Sequence, residues 1–282
     1  MNGTGCAKHS VVWVPQWWLG VLLLAVCWPL NWTVRGGTAY LFFPLWLGYV
    51  LVVDALVLSR TGSSLWSRSR RDFVLLFVAS SPVWWLFEII NQRTNNWEYL
   101  GTAKFTEAQY YLLCTISFST VMSAVFETAE LARTFRWLER VPPGSRISSA
   151  QLLKWAMFLS GAAMLALALG WPRYCYPFVW SSLVLMLEPV NSWLGRRSLL
   201  QDLQRGDWRP VLSLAVGALI CGFFWEMWNY YSDPKWVYHT PGAQFLHIFE
   251  MPLLGYGGYI PFALELFALK NFLWPRSPGL RL

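Results

Sequence analysis

Apolar residues run along this chain in blocks of about twenty, broken by short stretches that hold most of the charge. A block of that length is what a helix needs to cross the hydrocarbon core of a bilayer. Eight segments meet the test, at roughly 11–30, 38–58, 72–91, 107–131, 150–170, 174–195, 210–231 and 243–272. The last is long and interrupted by Pro252, Gly255-Tyr256-Gly257-Gly258 and Pro261, so it is expected to be tilted, kinked or split into two half-helices. The pattern predicts an all-α, polytopic integral membrane protein of about eight transmembrane helices.

Charge in the intervening stretches orients these helices. Arg60, Arg68, Arg70 and Arg71 follow the second segment, and Arg133, Arg136, Arg140, Arg146 and Lys154 the fourth. Arg196, Arg197, Arg205 and Arg209 follow the sixth, and Lys270, Arg276 and Arg281 close the chain. The alternate stretches hold Arg35, then Arg93 and Lys104 offset by Glu98 and Glu107, then Arg173, then Lys235 offset by Asp233. The excess of basic residues on one set of loops places both termini in the cytoplasm.

The pattern also repeats. Trp28-Pro29 and Trp171-Pro172 end the first and fifth segments, and Phe43-Pro44 and Tyr176-Pro177 open the second and sixth. Asp54 and Glu188 follow near the ends of those two. The third segment carries Glu88 and Asn91, matched by Glu226 and Asn229 in the seventh. Trp97-Glu98-Tyr99 is matched by Trp236-Val237-Tyr238, and Glu127 by Glu265; from Glu88 onward the offset is 138 or 139 residues. Two four-helix repeats, 1–145 and 146–282, follow from this register. An even helix number gives the halves the same orientation, which gathers Glu88, Asn91, Glu226 and Asn229 toward the outer side. Asp54, Glu127, Glu188 and Glu265 fall toward the inner side.

Composition fits that picture: 56% of residues are hydrophobic and 13% charged, about half the charge of a soluble domain. The 20 tryptophans suit membrane interfaces, where the ring lies in lipid and the N–H finds water. The net charge of +7 is accounted for by the loop arginines, so no nucleic-acid partner is expected; a homo-oligomer is compatible with the sequence. Five scattered cysteines, Cys6, Cys27, Cys114, Cys175 and Cys221, form neither a disulfide framework nor a zinc site. Leu24-Ala25-Val26-Cys27 is a poor lipoprotein signal because Val26 is bulky, and Asn31-Trp32-Thr33 is a weak glycosylation sequon.

Acids inside a membrane cost about 2.5–3.5 kcal/mol each on insertion scales and usually face a bundle interior or a cavity. Glu88, Glu226, Glu188, Glu265 and Glu250 sit within or at the edge of apolar segments. The E-x-x-N spacing puts carboxyl and amide on one helix face, where they hold a proton, bind a polar headgroup or clamp two helices. His247-x-x-Glu250 has the spacing of a helical metal pair, but only His9, His239 and His247 are present, too few for a di-iron oxygenase. A single metal on His239, His247 and carboxylates is the lesser reading beside a packed or interfacial histidine. Neither a metal nor a cofactor is expected. Aspartate-rich prenyl-diphosphate motifs, phosphoalcohol-transfer motifs and a G-x-S-x-G elbow are all missing from the sequence.

A carboxyl buried in an apolar setting keeps its proton near neutral pH and can deliver it to an alkene. Indole and phenyl faces stabilise the resulting carbocation, and Trp85, Trp225, Trp228 and Trp236 are candidates for that wall. The order of a helical acid (Glu226), then Trp236-Val237-Tyr238, then Gly258-x-x-Pro261-x-x-x-Glu265-x-Phe267 resembles the tandem repeat of the membrane lycopene cyclase domain. That resemblance implies an intramembrane enzyme acting on an isoprenoid, carotenoid or other lipid, of cyclase or hydratase type. The expected catalytic set is Glu226, Glu265, Asn229, Glu250, Glu88 and Glu127, with Glu226 as proton donor, Glu265 as its partner and Asn229 orienting. Trp236, Tyr238, Trp225, Trp228, Asn91, Glu188 and His247 would line the substrate site. The segment from Phe249 to Gly258 has no counterpart in the first half, which places a single site among the last three helices. Two other classes stay open: a proton-coupled transporter or flippase, whose mark is a watery path between outer and inner acids, and a non-catalytic scaffold whose acids are helix clamps.

Overall fold

In a computed structural model of the protein, residues 14–148, 150–276 and 279–282 are described; Cys6 and His9 of the N-terminal tail lie outside them. The chain is mostly helical, and five helical stretches are long and apolar enough to cross a membrane: Thr38–Thr61, Arg70–Thr94, Glu107–Arg133, Gln151–Gly170 and Arg209–Tyr230. Of the three other expected segments, the first is a single helix and two are broken. α1 (Pro15–Thr33) is a continuous helix of 19 residues that carries Pro29 inside it. The segment after Trp171 starts as a short turn of helix, α9 (Pro172–Cys175), and a 3-10 turn before α10 (Val179–Trp193). Proline at both starts explains the broken entry, since neither Pro172 nor Pro177 donates an N–H. The segment 243–272 begins as a hairpin of β3 (His247–Ile248) and β4 (Met251–Pro252), then α13 (Leu253–Tyr256), and becomes a longer helix only in α14 (Tyr259–Leu273).

The remaining helices follow their local signals. α2 (Thr38–Thr61) ends at Gly62, which adopts the left-handed conformation that glycine tolerates. Ser69 caps α4 (Arg70–Thr94) by accepting the Asp72 N–H. Thr106 and Gln109 form a reciprocal capping box on α5 (Glu107–Phe118). α6 (Val121–Arg133) continues it after a break at Ser119-Thr120, with α8 (Gln151–Gly170) and α12 (Arg209–Tyr230) supplying the other long helices. Short helices α3 (Leu65–Arg68), α7 (Arg136–Glu139) and α11 (Leu199–Gln204) occupy the arginine-rich connections.

α1 packs along α2, α8 along α10, and α6 along α12, while α14 lies against α10 and α12. Two approaches are backbone to backbone. A Cβ on Gly20 would stand 2.8 Å from the Gly48 carbonyl oxygen, and one on Gly217 would stand 2.7 Å from the Ala129 nitrogen. Small residues allow such contact where lipid gives helices no hydrophobic reason to associate. On α8, Leu152, Trp155 and Leu159 are all exposed, an apolar face of the kind that another apolar surface or lipid covers.

Between the long helices lies an element the apolar pattern hides. β1 (Trp97–Leu100) and β2 (Lys235–Tyr238) pair antiparallel, with Trp97 opposite Tyr238 and Tyr99 opposite Trp236. This ribbon joins the chain after α4 to the chain after α12 and marks one end of the molecule. The opposite end holds the arginine-rich connections, where Nη2 of the part-buried Arg68 donates to both Glu130 carboxylate oxygens, at 2.6 and 2.7 Å.

Candidate functional site

Asn91 and Asn229 fix the ribbon to the helix ends. The Asn91 side chain donates to the Trp97 carbonyl at 2.8 Å and accepts the Asn96 N–H at 2.8 Å. Asn229 donates to the Trp236 carbonyl at 2.7 Å and accepts the Trp236 N–H at 2.9 Å. Each amide thereby completes backbone groups that have no ladder partner there, and sets the direction in which the W-x-Y side chains leave the strand.

Those side chains turn back onto the glutamates one helical turn earlier. Glu88 Oε1 accepts from the Tyr99 hydroxyl at 2.6 Å, the Trp84 indole at 2.8 Å and the Trp97 indole at 3.2 Å. Glu226 Oε1 accepts from the hydroxyls of Tyr238 and Tyr259, both at 2.7 Å, and the Trp236 indole donates to the Tyr238 hydroxyl at 2.8 Å. Glu226 is fully buried, and its Oε2 has no hydrogen-bond partner. Burial, and then the adjacent Glu226 carboxyl, push the Tyr238 hydroxyl well above the usual phenol range; burial and then Glu88 do the same to Tyr99. Both phenols therefore hold their protons and act as donors.

In front of these hydroxyls is a cavity of about 520 Å³, within the range of small-molecule sites. Its wall includes Trp84, Trp97, Tyr99, Trp225, Trp236 and Tyr238, together with Trp180 and Phe262. Trp225 stacks on Tyr259 with ring centroids 5.9 Å apart, and Trp180 stacks on Phe87 at 5.6 Å. Both strands, α4, α5, α12 and the start of α14 contribute to the wall. Neither Glu88 nor Glu226 forms part of it; each stands one layer behind, joined to it through the phenols and indoles.

The other residues singled out in the sequence fall into three places. Trp228 is buried behind the wall against Trp46, with centroids 4.9 Å apart, and its carbonyl accepts from Asn31. Glu250 forms an ion pair with Lys235 at 2.5 Å, while the exposed His247 contacts Gln244 at 3.0 Å. His247 lies on β3 and Glu250 in the turn after it. The expected helical i, i+3 pairing of His247 with Glu250 is thus corrected: Leu246 and Phe249 take positive φ on either side of His247-Ile248, and Pro252 disfavours helix in the residue before it. No group of three or more metal-ligating side chains occurs among the described residues.

Glu188, Glu127 and Glu265 stand apart from the cavity. Glu188 accepts from the Ser198 hydroxyl at 2.7 Å and the Leu200 N–H at 3.2 Å. Asp54 does the same with the Ser64 hydroxyl at 2.8 Å and the Trp66 N–H at 3.0 Å. Both acids thus seat the N-termini of short helices, α11 and α3, where a negative charge is favoured. Glu265 accepts the Leu183 N–H at 2.9 Å, and both oxygens of the fully buried Glu127 lack partners. Residues missed in the sequence include Tyr259, Trp84, Trp180, Asn96 and Thr240, none of which carries a local signal of its place. Tyr99 was missed too, although its match to Tyr238 in the repeat marks it as the second phenol.

No protein-family model matches the chain, and no curated protein or solved structure matches it. The fold and site therefore define its class on their own: a helical protein with membrane-length apolar helices and an aromatic cavity backed by two carboxyl–phenol units.

Proposed function

We propose that the protein is an intramembrane enzyme that binds an isoprenoid or related lipid in the aromatic cavity and transforms it by proton transfer. The observation that carries this reading is the pairing of an indole- and phenol-walled cavity with buried carboxyls that stand behind its wall and meet it through tyrosine hydroxyls and indoles. Glu226 in its acid form is the proton source: the hydroxyl of Tyr259 or Tyr238 turns from Glu226 toward the alkene, gives up its own proton and takes the one on Glu226 in its place. The proton adds to one carbon of an alkene, and the cation left on the other carbon lies against indole and phenyl faces. A second double bond closes onto the cation, and loss of a proton from the neighbouring carbon returns it along the same path. The step consumes no net proton and needs no other reactant. Glu265 and Glu127 are helix-packing groups in this reading, and Glu88 with Tyr99 is the corresponding unit across the cavity.

The layout we propose is two related halves, eight crossings and both termini in the cytoplasm. Its support is the like-for-like use of Asn91 and Asn229, Glu88 and Glu226, and Asp54 and Glu188. A twofold axis through the ribbon would also exchange the Trp97–Tyr238 pair with the Trp236–Tyr99 pair. A proton-coupled carrier fits less well, because Asp54, Glu127, Glu188 and Glu265 are all absent from the cavity wall. A scaffold leaves the cavity without a purpose.

The test is lipid mass spectrometry of cells expressing the wild type, Glu226→Gln and Glu88→Gln at equal levels. A lipid converted by the wild type should accumulate unconverted with Glu226→Gln, by at least about a hundredfold in rate for loss of a general acid. Identical lipid profiles for all three would overturn the enzymatic reading.

A further inference from the structure

Among the described residues of the cavity wall, all are buried or half-buried except Pro177 and Leu254; Leu254 is 61% exposed. Exposed residues in the wall of a cavity mark where it opens. The two belong to stretches that touch. The hydroxyl of Tyr176, beside Pro177, donates to the Pro241 carbonyl at 3.4 Å, and a Cβ on Gly258, one turn after Leu254, would stand 3.7 Å from the Trp180 ring. The opening therefore lies between the 3-10 turn Tyr176–Phe178 and α13. Leu253 and Tyr174 on its outer rim are exposed as well, and the guanidinium of Arg173 lies over the Tyr174 ring, 5.7 Å from its centre. The ribbon end differs. There Lys104 pairs with Asp233 at 2.8 Å, Lys235 of the wall pairs with Glu250 at 2.5 Å, and the Asp233 N–H donates to Thr38 of the wall at 2.9 Å.

We infer that the cavity opens sideways to the surrounding lipid, between Pro177 and Leu254, and holds one end of a long-chain lipid whose remainder passes out through that opening. This rests on the lipid-binding part of the proposed function and narrows its substrate class to chains longer than the cavity. An apolar rim continuing an apolar wall lets hydrocarbon pass from bilayer to cavity without meeting water. A route through the ribbon end would have to part the ion pairs there and expose the chain. A water-sized group fills about 30 Å³, so ten carbons fit a cavity of about 520 Å³ and forty-five do not.

In phosphatidylcholine nanodiscs holding the full chain, a diazirine-tagged C10 prenol should label peptides of the cavity wall on illumination, and untagged C10 and C45 prenols should both displace it. Leu254→Trp narrows the opening. It should raise the amount of C45 prenol needed by about tenfold, the scale on which overfilled packing is penalised, and that of C10 by less than about twofold. Unchanged C10 displacement shows that the variant is folded with its cavity intact; if Leu254→Trp loses it, Pro177→Trp decides. Thr102→Trp, in the wall near the ribbon, should leave both prenols alone. A C45 prenol that fails to displace the tag from the wild type, equal effects of the decisive variant on both prenols, or a loss of C45 binding confined to Thr102→Trp would each overturn the inference. Wall labelling that persists beside any of those three outcomes leaves the lipid-binding reading standing. Absence of wall labelling in the wild type would sink that reading, and this inference with it.

Discussion

At the scale of single residues, the E-x-x-N motif divides its labour. The spacing shows that Glu226 and Asn229 share a helix face, yet their partners are unrelated. Asn229 serves the strand backbone and Glu226 the phenols. The partner Tyr259 comes from 33 residues downstream, which no local spacing indicates. Asn229→Ala removes two buried hydrogen bonds and strands a backbone N–H and carbonyl. It should cost about 2–3 kcal/mol, seen as a lower melting temperature in detergent. Asn91→Ala should cost a similar amount, since it makes the same two kinds of bond.

At the scale of elements, long helices were legible and short strands were not. The apolar blocks of α2, α4, α12 and the α5–α6 stretch need no partner to declare themselves, because a membrane helix satisfies its own backbone. A four-residue strand satisfies nothing alone. β1 and β2 form because Asn91, Asn229 and each other's backbone complete them, and W-x-Y alternation was their only trace. Helix contacts are similarly hidden: Gly217 reads as one small residue among many until Ala129 of α6 is seen against it. Gly217→Val should therefore wedge α12 from α6 and cost about 1–3 kcal/mol. Gly170→Ala, at a position with nothing within 4 Å of an added Cβ, is the matched control and should unfold as the wild type does.

At the scale of the molecule, loops distant in sequence are tied at the ribbon end. Asp233 accepts from Lys104 at 2.8 Å and from the Gly36 N–H at 3.0 Å, and its own N–H donates to Thr38 at 2.9 Å. The Lys104 contact holds its carboxyl below the usual aspartate range. A carboxyl depressed by folding contributes stability above its unfolded value of about 3.9, and the contribution is lost as pH falls through the lower folded value. The pair is two-fifths exposed, with side-chain values of 38% and 41%, so the effect should stay below about 1 kcal/mol. Melting temperature followed from pH 6 to pH 3, a range of about three units spanning that value, should fall further for the wild type than for Asp233→Asn. Equal slopes would show that the tie carries no stability.

Sequence alone determined the class of the molecule, helical with membrane-length apolar helices, because hydrophobic length is summed over many residues and survives local irregularity. It also marked Glu88, Glu226 and the W-x-Y pairs as a related set through their spacing. Only the tertiary structure decided what the acids do. Whether a buried carboxyl meets a phenol, a helix N-terminus or nothing depends on side chains from other segments, and that is why Glu188 and Glu226, alike in the sequence, end as a cap and as the back of a cavity.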